Sequence, residues 1–176
     1  GVLSGLMLNA ELKGLTSKGV IAFAKHFLMN DQERNRYGVA TFANEQTIRE
    51  IYLKAFQYSI EEDNTIGLMS SFNRLGCTWT GAHKGLLTEV LRNEWGFKGV
   101  VMTDWYTSVD MPMLTDKYAS KYPISSSAGC IYAGNDIQMP GCKKNVDDII
   151  EAVEKGTEQG GYTITLADLQ FCTENI

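Results

Sequence analysis

The sequence has little of what marks several specialised classes of protein. It has three prolines and two histidines, and no apolar run approaches the roughly 18 residues that a membrane span needs. Neither a GxGxxG pattern nor a P-loop is present, so no nucleotide cofactor is indicated. No two cysteines have the close spacing of a zinc or redox motif, and we therefore predict free thiols, no metal and no other cofactor. The four cysteines are Cys77, Cys130, Cys142 and Cys172.

Positive charge is also scarce. The 16 lysines and arginines are outnumbered by 21 aspartates and glutamates, the net charge is -5, and the basic residues are scattered along the chain. Nucleic acid is therefore not an expected partner, and neither is a membrane. The remaining composition, 44% hydrophobic and 21% charged, is that of an ordinary soluble domain, and we predict one unit over residues 1–176. A first residue other than methionine suggests a piece of a longer protein, and the compartment, cytoplasmic or secreted, stays open.

Apolar residues alternate between helical spacing and short continuous runs. Helical spacing predicts helices at residues 5–18, 45–62, 82–95, 146–155 and 166–175. Thr165 and Asp168 are placed to cap the last of these helices. Short apolar runs predict buried strands at residues 20–24, 66–70 and 99–103. A fourth strand is expected at either 130–133 or 136–139, after a polar loop over residues 106–127.

Strands that alternate with helices indicate parallel βα units with right-handed crossovers. Two architectures fit this pattern. A doubly wound sheet is complete with four or five strands, whereas a (β/α)8 barrel needs eight, so about four βα units would be half a barrel. In both architectures, functional side chains gather at the carboxyl ends of the strands.

Asp104 follows one predicted strand directly and precedes Trp105. A carboxylate in this place can attack an anomeric carbon, and an indole beside it can stack on a sugar ring. The alternatives are that Asp104 caps a helix or binds a metal.

Lys25 and His26 end another predicted strand, where they could donate hydrogen bonds to vicinal hydroxyl groups. Lys25 could instead form a Schiff base with a carbonyl substrate, and His26 could be a buried structural histidine. For His83 we predict a structural or solvated role. A polar cluster after the first strand contains Gln32, Glu33 and Arg36, and either Gln32 or Glu33 could pair with Arg36 across one turn on a solvated surface.

Several ordered motifs resemble those of family 3 glycoside hydrolases, particularly bacterial β-glucosidases. The motifs are Ala24-Lys25-His26-Phe27 with Asn30, Gln32, Glu33 and Arg36, then residues 68–73, 86–87 and 91–105, and Ala133-Gly134-Asn135-Asp136. The resemblance covers nearly the whole chain. It implies an α/β fold that is a partial (β/α)8 TIM barrel, namely the C-terminal half of the family's catalytic barrel.

The resemblance also implies a retaining double displacement that hydrolyses terminal β-D-glucosyl residues. In this reading Asp104 is the nucleophile, and Lys25 and His26 bind the sugar. Met69, Phe72 and Trp105 line the same site. Phe72 departs from the family pattern, because many members have a tyrosine near the nucleophile.

The resemblance leaves two expected parts outside the chain, an earlier sugar-binding aspartate and the acid/base carboxylate of a separate domain. A retaining glycosidase needs two carboxyl groups about 5 Å apart. We therefore expect a β-glucoside as substrate and, as partner, either the remainder of the barrel with the acid/base domain or a second copy in a homodimer. The alternative function is a non-catalytic fragment or assembly module of a larger enzyme.

Overall fold

A computed structural model of the chain describes residues 1–105 and 126–176. Its helices are α1 (Val2–Thr16), α2 (Glu45–Thr47), α3 (Lys54–Glu61), α4 (Ser127–Tyr132), α5 (Lys143–Lys155) and α6 (Leu166–Glu174). Two π-helices, π1 (Ile48–Leu53) and π2 (Gly85–Glu94), and a 3-10 turn (Thr80–Ala82) complete the helical structure of these described residues. The strands are β1 (Phe23–Phe27), β2 (Ala40–Thr41), β3 (Gly67–Ser70), β4 (Arg74–Leu75), β5 (Thr78–Trp79) and β6 (Val100–Met102).

Three strands form a parallel sheet in the order β1-β3-β6. The helices between them, π1 with α3 and then π2, are the crossovers expected of βα units. Within the described residues, the fourth position of this sheet is held by a single parallel bridge between Met102 and Ile137. The chain is therefore an α/β protein with a parallel sheet.

The two faces of the sheet differ in their surroundings. Ala24, Leu68 and Val101 stand side by side in the register and belong to the main hydrophobic core with residues of the flanking helices. We call Ala24, Leu68 and Val101 the helix-facing layer. The opposite face, which we call the second face, carries half-buried apolar side chains from all three strands. These are Phe23, Met69, Val100 and Met102.

A second, smaller sheet was not predicted from the sequence. Its strands β2, β4 and β5 contain two residues each and pair in the order β2-β4-β5. Such short strands carry no readable alternation of apolar and polar residues. Because β2 precedes the first crossover and β4 and β5 follow β3, the small sheet ties the segment after β1 to the segment after β3.

Two strand predictions are corrected by the structure. The first strand begins at Phe23 instead of Val20, because the amide of Val20 still donates to the Leu15 carbonyl at the end of α1, at 3.2 Å. Lys25 and His26 therefore lie inside β1, not beyond it. The alternative fourth strand at residues 130–133 is wrong, since this segment belongs to α4 and to the turn after it. The Ser126 hydroxyl caps that helix by accepting the Gly129 amide at 2.9 Å.

The predicted helices are confirmed, with ends that differ by a few residues. Thr165 and Asp168 form the expected capping box at the start of α6. Most of the predicted loop at 106–127 lies outside the described residues. All four cysteines are free, as predicted. In the described part of the chain, no helix is both long and apolar enough to cross a membrane.

Candidate functional site

Asp104 lies at the carboxyl end of β6. The preceding Thr103 is fully buried and clamped, because its amide donates to the Ile137 carbonyl at 2.9 Å and its hydroxyl accepts the Met139 amide at 2.8 Å. The clamp fixes the backbone from which the Asp104 side chain projects. Only 8% of the Asp104 surface is exposed, so its carboxylate is largely withdrawn from water.

His26 reaches Asp104 from the other edge strand of the sheet. Its Nε2 lies 3.3 Å from Oδ2 of Asp104. Because β3 separates β1 from β6 in the sheet, the two side chains meet across the end of the middle strand. The peptide bonds Lys25–His26 and Phe27–Leu28 on this strand are cis. The His26–Asp104 pair thus brings together two of the residues that were identified as candidates from the sequence.

Burial and charge act against each other on this pair. Burial raises the pKa of Asp104, while the positive charges of His26, Arg36 and Lys25 lower it and Glu33 raises it further. Burial also lowers the pKa of His26, and the positive charges of Lys25 and Arg36 lower it further. The Asp104 carboxylate acts in the opposite direction and raises this pKa. The lowered pKa of His26 favours the neutral form of its imidazole. Lys25 and Arg36 are the other cations near Asp104.

The polar cluster that the sequence placed on a solvated surface lies close to this site. The Arg36 guanidinium stands over the Phe72 ring at 4.5 Å and over the Tyr37 ring at 5.2 Å. Those two rings pack against each other at 4.4 Å. Glu33 pairs with Arg36 at 2.9 Å, which confirms the predicted pairing. The cluster was underrated because spacing shows that two loop residues can pair but not which strand end they approach.

The other predicted sugar-site residues occupy the same end of the sheet in different ways. Met69 lies in β3 beside Met102 of β6 and is half-buried on the second face. Phe72 follows β3 and is 3% exposed beneath Arg36. Trp105 follows Asp104 directly and is 48% exposed. Lys25, in β1, is exposed.

A buried hydrogen-bond network supports the loop after β1. The side-chain amide Nδ2 of Asn73 donates to the Leu28 carbonyl at 3.0 Å, and the Ser71 hydroxyl donates to the same oxygen at 3.2 Å. The fully buried Arg74 donates from Nη1 to the Tyr37 carbonyl at 3.1 Å. Polar groups buried in this way are costly unless they are satisfied, so the network fixes one loop conformation.

Two other polar residues have structural roles. The His83 Nδ1 accepts the Leu86 amide at 3.1 Å at the start of π2, which bears out the structural assignment of this histidine. Asp136 accepts Nη2 of Arg92 at 2.7 Å and the Val101 amide at 2.7 Å. Its other oxygen accepts Nδ2 of Asn175 at 2.9 Å. Both oxygens of the Asp136 carboxylate are therefore used in structural hydrogen bonds that hold β6. For this reason we do not consider Asp136 a candidate proton donor.

Over residues 1–105 and 126–176, no group of three or more His, Cys, Asp and Glu side chains is placed to hold a metal ion. What the described residues assemble is a buried carboxylate, a neighbouring imidazole, two cations and an exposed indole. Such a set can bind a polyhydroxylated ring and present a nucleophile to it.

Comparison with known proteins gives this arrangement a context. Residues 3–165 match the family model described as the glycosyl hydrolase family 3 N terminal domain. A β-glucosidase of Ruminococcus albus is 34% identical over 99% of the chain and 17% of its own length. A β-glucosidase of Rhizobium radiobacter is 38% identical over 84% of the chain and 16% of its own length.

The solved structures agree with the sequences. β-Glucosidase 3B from Thermotoga neapolitana, in complex with glycerol, superposes with a TM-score of 0.81 at 34% identity, over 99% of the chain and 23% of that protein. A β-glucosidase from Kluyveromyces marxianus in complex with glucose superposes with a TM-score of 0.83 at 25% identity, over 99% of the chain and 18% of that protein. The chain thus spans less than a quarter of the length of each of these four proteins.

Proposed function

The chain belongs to glycosyl hydrolase family 3, and from this membership we propose that it carries the nucleophile of a retaining β-glucosidase-like enzyme. The reaction is hydrolysis of terminal β-D-glucosyl residues. Asp104 is the nucleophile, and Lys25 and His26 bind hydroxyl groups of the sugar. The proposal concerns the enzyme of which this chain forms part of the catalytic barrel.

One observation carries the proposal. A carboxylate at the carboxyl end of a buried parallel strand lies 3.3 Å from an imidazole delivered by another strand of the same sheet. Functional groups of barrel enzymes gather at this end. The burial of Asp104 supports nucleophilic attack as well, because a desolvated carboxylate is more reactive toward a positively polarised anomeric carbon than a hydrated one.

The chemistry is a double displacement. The Asp104 carboxylate attacks the anomeric carbon, a covalent glycosyl ester forms, and the aglycone leaves with a proton from an acid. Water then loses a proton to the same acid/base residue and attacks the anomeric carbon, the bond between this carbon and Asp104 breaks, and the carboxylate and the free sugar are released. Trp105 and Met69 offer apolar surface to the sugar ring. Phe72 acts indirectly, because the Arg36 guanidinium stacks on its ring. The acid is proposed to lie outside this chain.

We also propose that residues 1–176 are one segment, the C-terminal half of the (β/α)8 barrel. The half-buried apolar side chains of the second face support this assignment, since the interior of a complete barrel is packed with layers of such side chains. The remainder of the barrel and an acid/base domain are the proposed partners. A second copy of the chain is the other way to cover the second face, and size-exclusion chromatography with light scattering separates the two.

The alternative function, an assembly module without turnover, is favoured by the same partly open face. It predicts a folded chain whose Asp104 does not react.

Labelling by a 2-deoxy-2-fluoroglucoside with a dinitrophenyl leaving group tests the proposed nucleophile. This leaving group needs no acid, and the fluorine slows release of the glycosyl ester, so the missing proton donor does not prevent labelling. Mass spectrometry of peptides is expected to find one fluoroglucosyl group on Asp104. The Asp104→Asn variant is expected to remain unlabelled, whereas Asp63→Asn, a charge change on an exposed turn, is expected to be labelled like the wild type. A folded wild-type chain that stays unlabelled would support the assembly module.

A further inference from the structure

A cavity of about 390 Å³ lies between the two π-helices and the small sheet. This volume is in the range of pockets that bind small molecules. The apolar wall of the cavity comes from π1, π2 and β4, namely from Ile48, Leu53, Leu86, Val90 and Leu75. None of the residues proposed for the sugar site lines it. The cavity is therefore a separate feature of the chain.

The helical geometry around this cavity is unusual. π-Helices are rare, and they occur frequently at functional sites. Both π1 and π2 contribute side chains to this one cavity. This coincidence favours a binding role over a simple gap between two packed helices.

An aromatic ring belongs to the lining of the cavity. Phe42 follows β2 directly and is 69% exposed. Single exposed apolar residues are ordinary, but Phe42 adjoins a cavity whose wall is itself apolar. Its ring is therefore available to stack on an aromatic ligand.

Two polar side chains of the lining are already engaged within the protein. The Thr41 hydroxyl donates to the Arg74 carbonyl at 2.7 Å. The Arg49 guanidinium donates to Glu45 at 2.9 Å and to the two carboxylate oxygens of Glu94 at 2.7 and 3.1 Å. Because carboxylates already offset this cation, the lining favours a neutral ligand over an anion.

His83 keeps a donor for a ligand. Its Nδ1 accepts the Leu86 amide at 3.1 Å, so the proton of the neutral imidazole is on Nε2. Burial lowers the pKa of His83 and outweighs the opposite effect of its own backbone carbonyl, which favours this neutral form. Within the described residues, Nε2 has no hydrogen-bond partner. The imidazole can therefore donate one N–H to an acceptor in the cavity that its side chain lines.

We propose that this cavity binds a small neutral aromatic compound, whose ring stacks on Phe42 and whose oxygen or nitrogen accepts a hydrogen bond from Nε2 of His83. The apolar wall withdraws the remainder of the ring from water. The role of this site does not depend on the role of Asp104.

Two probe compounds of nearly equal shape test the proposed donor. 4-Fluoroacetophenone has a carbonyl acceptor, and 4-fluoro-α-methylstyrene has a methylene group in place of the carbonyl oxygen. Fluorine NMR titrations of the full chain give both dissociation constants. His83→Phe keeps a ring but removes the donor, so it is expected to weaken binding of the ketone relative to the styrene by about threefold or more.

Nitrogen NMR of the 15N-labelled chain locates the contact. The chain has two histidines, His26 and His83, so the His83→Phe variant assigns the imidazole signals. 4-Fluoroacetophenone is expected to shift the Nε2 signal of His83 and to leave the His26 signals unchanged.

Phe42→Ala tests the aromatic contact. It is expected to weaken binding of both compounds about threefold, because the stacking surface is lost. Leu3→Ala is the matched control, since Leu3 is a similarly exposed apolar residue, 72% exposed, on α1. Its dissociation constants are expected to equal those of the wild type.

The same ratio of dissociation constants in the wild type and in folded His83→Phe overturns the proposal, and so does an Nε2 signal of His83 that does not respond to the ketone. Binding of neither compound also overturns it and would indicate a contact surface for protein. Near-ultraviolet circular dichroism checks folding, and the Nε2 shift and Phe42→Ala decide the outcome if His83→Phe is unfolded. These measurements do not involve the fluoroglucoside label, so failure of this inference and failure of the proposed nucleophile are separate outcomes.

Discussion

The imidazole of His26 and the carboxylate of Asp104 lie 3.3 Å apart, and burial shifts the pKa of each toward its neutral form. For Asp104 the pKa rises, and for His26 it falls, despite the attraction between their charged forms. A group whose charged form is disfavoured by folding lowers the free energy of unfolding in the pH range where it is charged. The ionised carboxylate of Asp104 therefore lowers the free energy of unfolding.

Replacing Asp104 by asparagine is expected to stabilise the chain at neutral pH. Because the folded-state pKa of Asp104 is raised, the folded state binds more protons than the unfolded state between the two pKa values. Wild-type stability falls relative to the variant as pH rises through that range, and the difference disappears below the unfolded-state pKa of about 3.9. Urea unfolding of both proteins from pH 3 to 8 measures this difference, with Asp63→Asn as the control for a change of net charge.

A constant stability difference across that pH series would contradict the assignment, because a packing change does not depend on the protonation of Asp104.

The Arg92–Asp136 pair is expected to be indispensable for stability. Both side chains are buried, at 6% and 0% exposed, and Asp136 joins Val101 of β6 to Asn175 near the end of α6. Arg92→Met leaves the carboxylate buried without its cation, which is expected to lower the free energy of unfolding by about 3 kcal/mol. Asp147→Asn breaks an exposed pair with Lys143 and is expected to change it by less than about 0.5 kcal/mol. Similar losses in both variants, measured by urea unfolding, would refute a special role for the buried pair.

The glycine before β6 is expected to tolerate no side chain. A Cβ atom on Gly99 would lie 2.0 Å from the Ile66 carbonyl oxygen, which also accepts the Val100 amide at 2.9 Å. Gly99→Ala must push β6 from β3 and is expected to cost about 2 kcal/mol. In α1, Gly14 has open space at its Cβ position, so Gly14→Ala is expected to add up to about 1 kcal/mol. Thermal unfolding of both variants checks the opposite signs, and a stable Gly99→Ala would contradict the close pairing of the strands.

Much of the fold was readable from the sequence because its signals are local. Helical spacing located α1, π2, α5 and α6, and apolar runs located β3 and β6. The strand prediction at residues 130–133 was wrong because a short apolar run does not distinguish a strand from a helix. In the structure this segment lies in a helix that is capped by the Ser126 side chain. The start of β1 was misplaced for a related reason, since only pairing with β3 shows where the strand begins.

The candidate site was readable only in part. The adjacency of Asp104 and Trp105 is a property of the sequence, and a strand end is a strong prior for function. The approach of His26 to Asp104, and of Arg36 to Phe72, depends on how distant segments pack. For the same reason the sequence could not separate Asp136 from a catalytic carboxylate, whereas its contacts with Arg92 and Val101 do.

The two faces of the central sheet divide the chain into positions with different freedom to vary. In the helix-facing layer, Leu68 and Val101 are enclosed by helices, and truncation to alanine would leave cavities that cost about 2–5 kcal/mol for a leucine. On the second face, Met69 and Met102 are side by side and only half-buried. Substitutions there reshape the surface near Asp104 while the core keeps its packing. Directed evolution of ligand preference should therefore randomise the two methionines together and leave Leu68 and Val101 fixed.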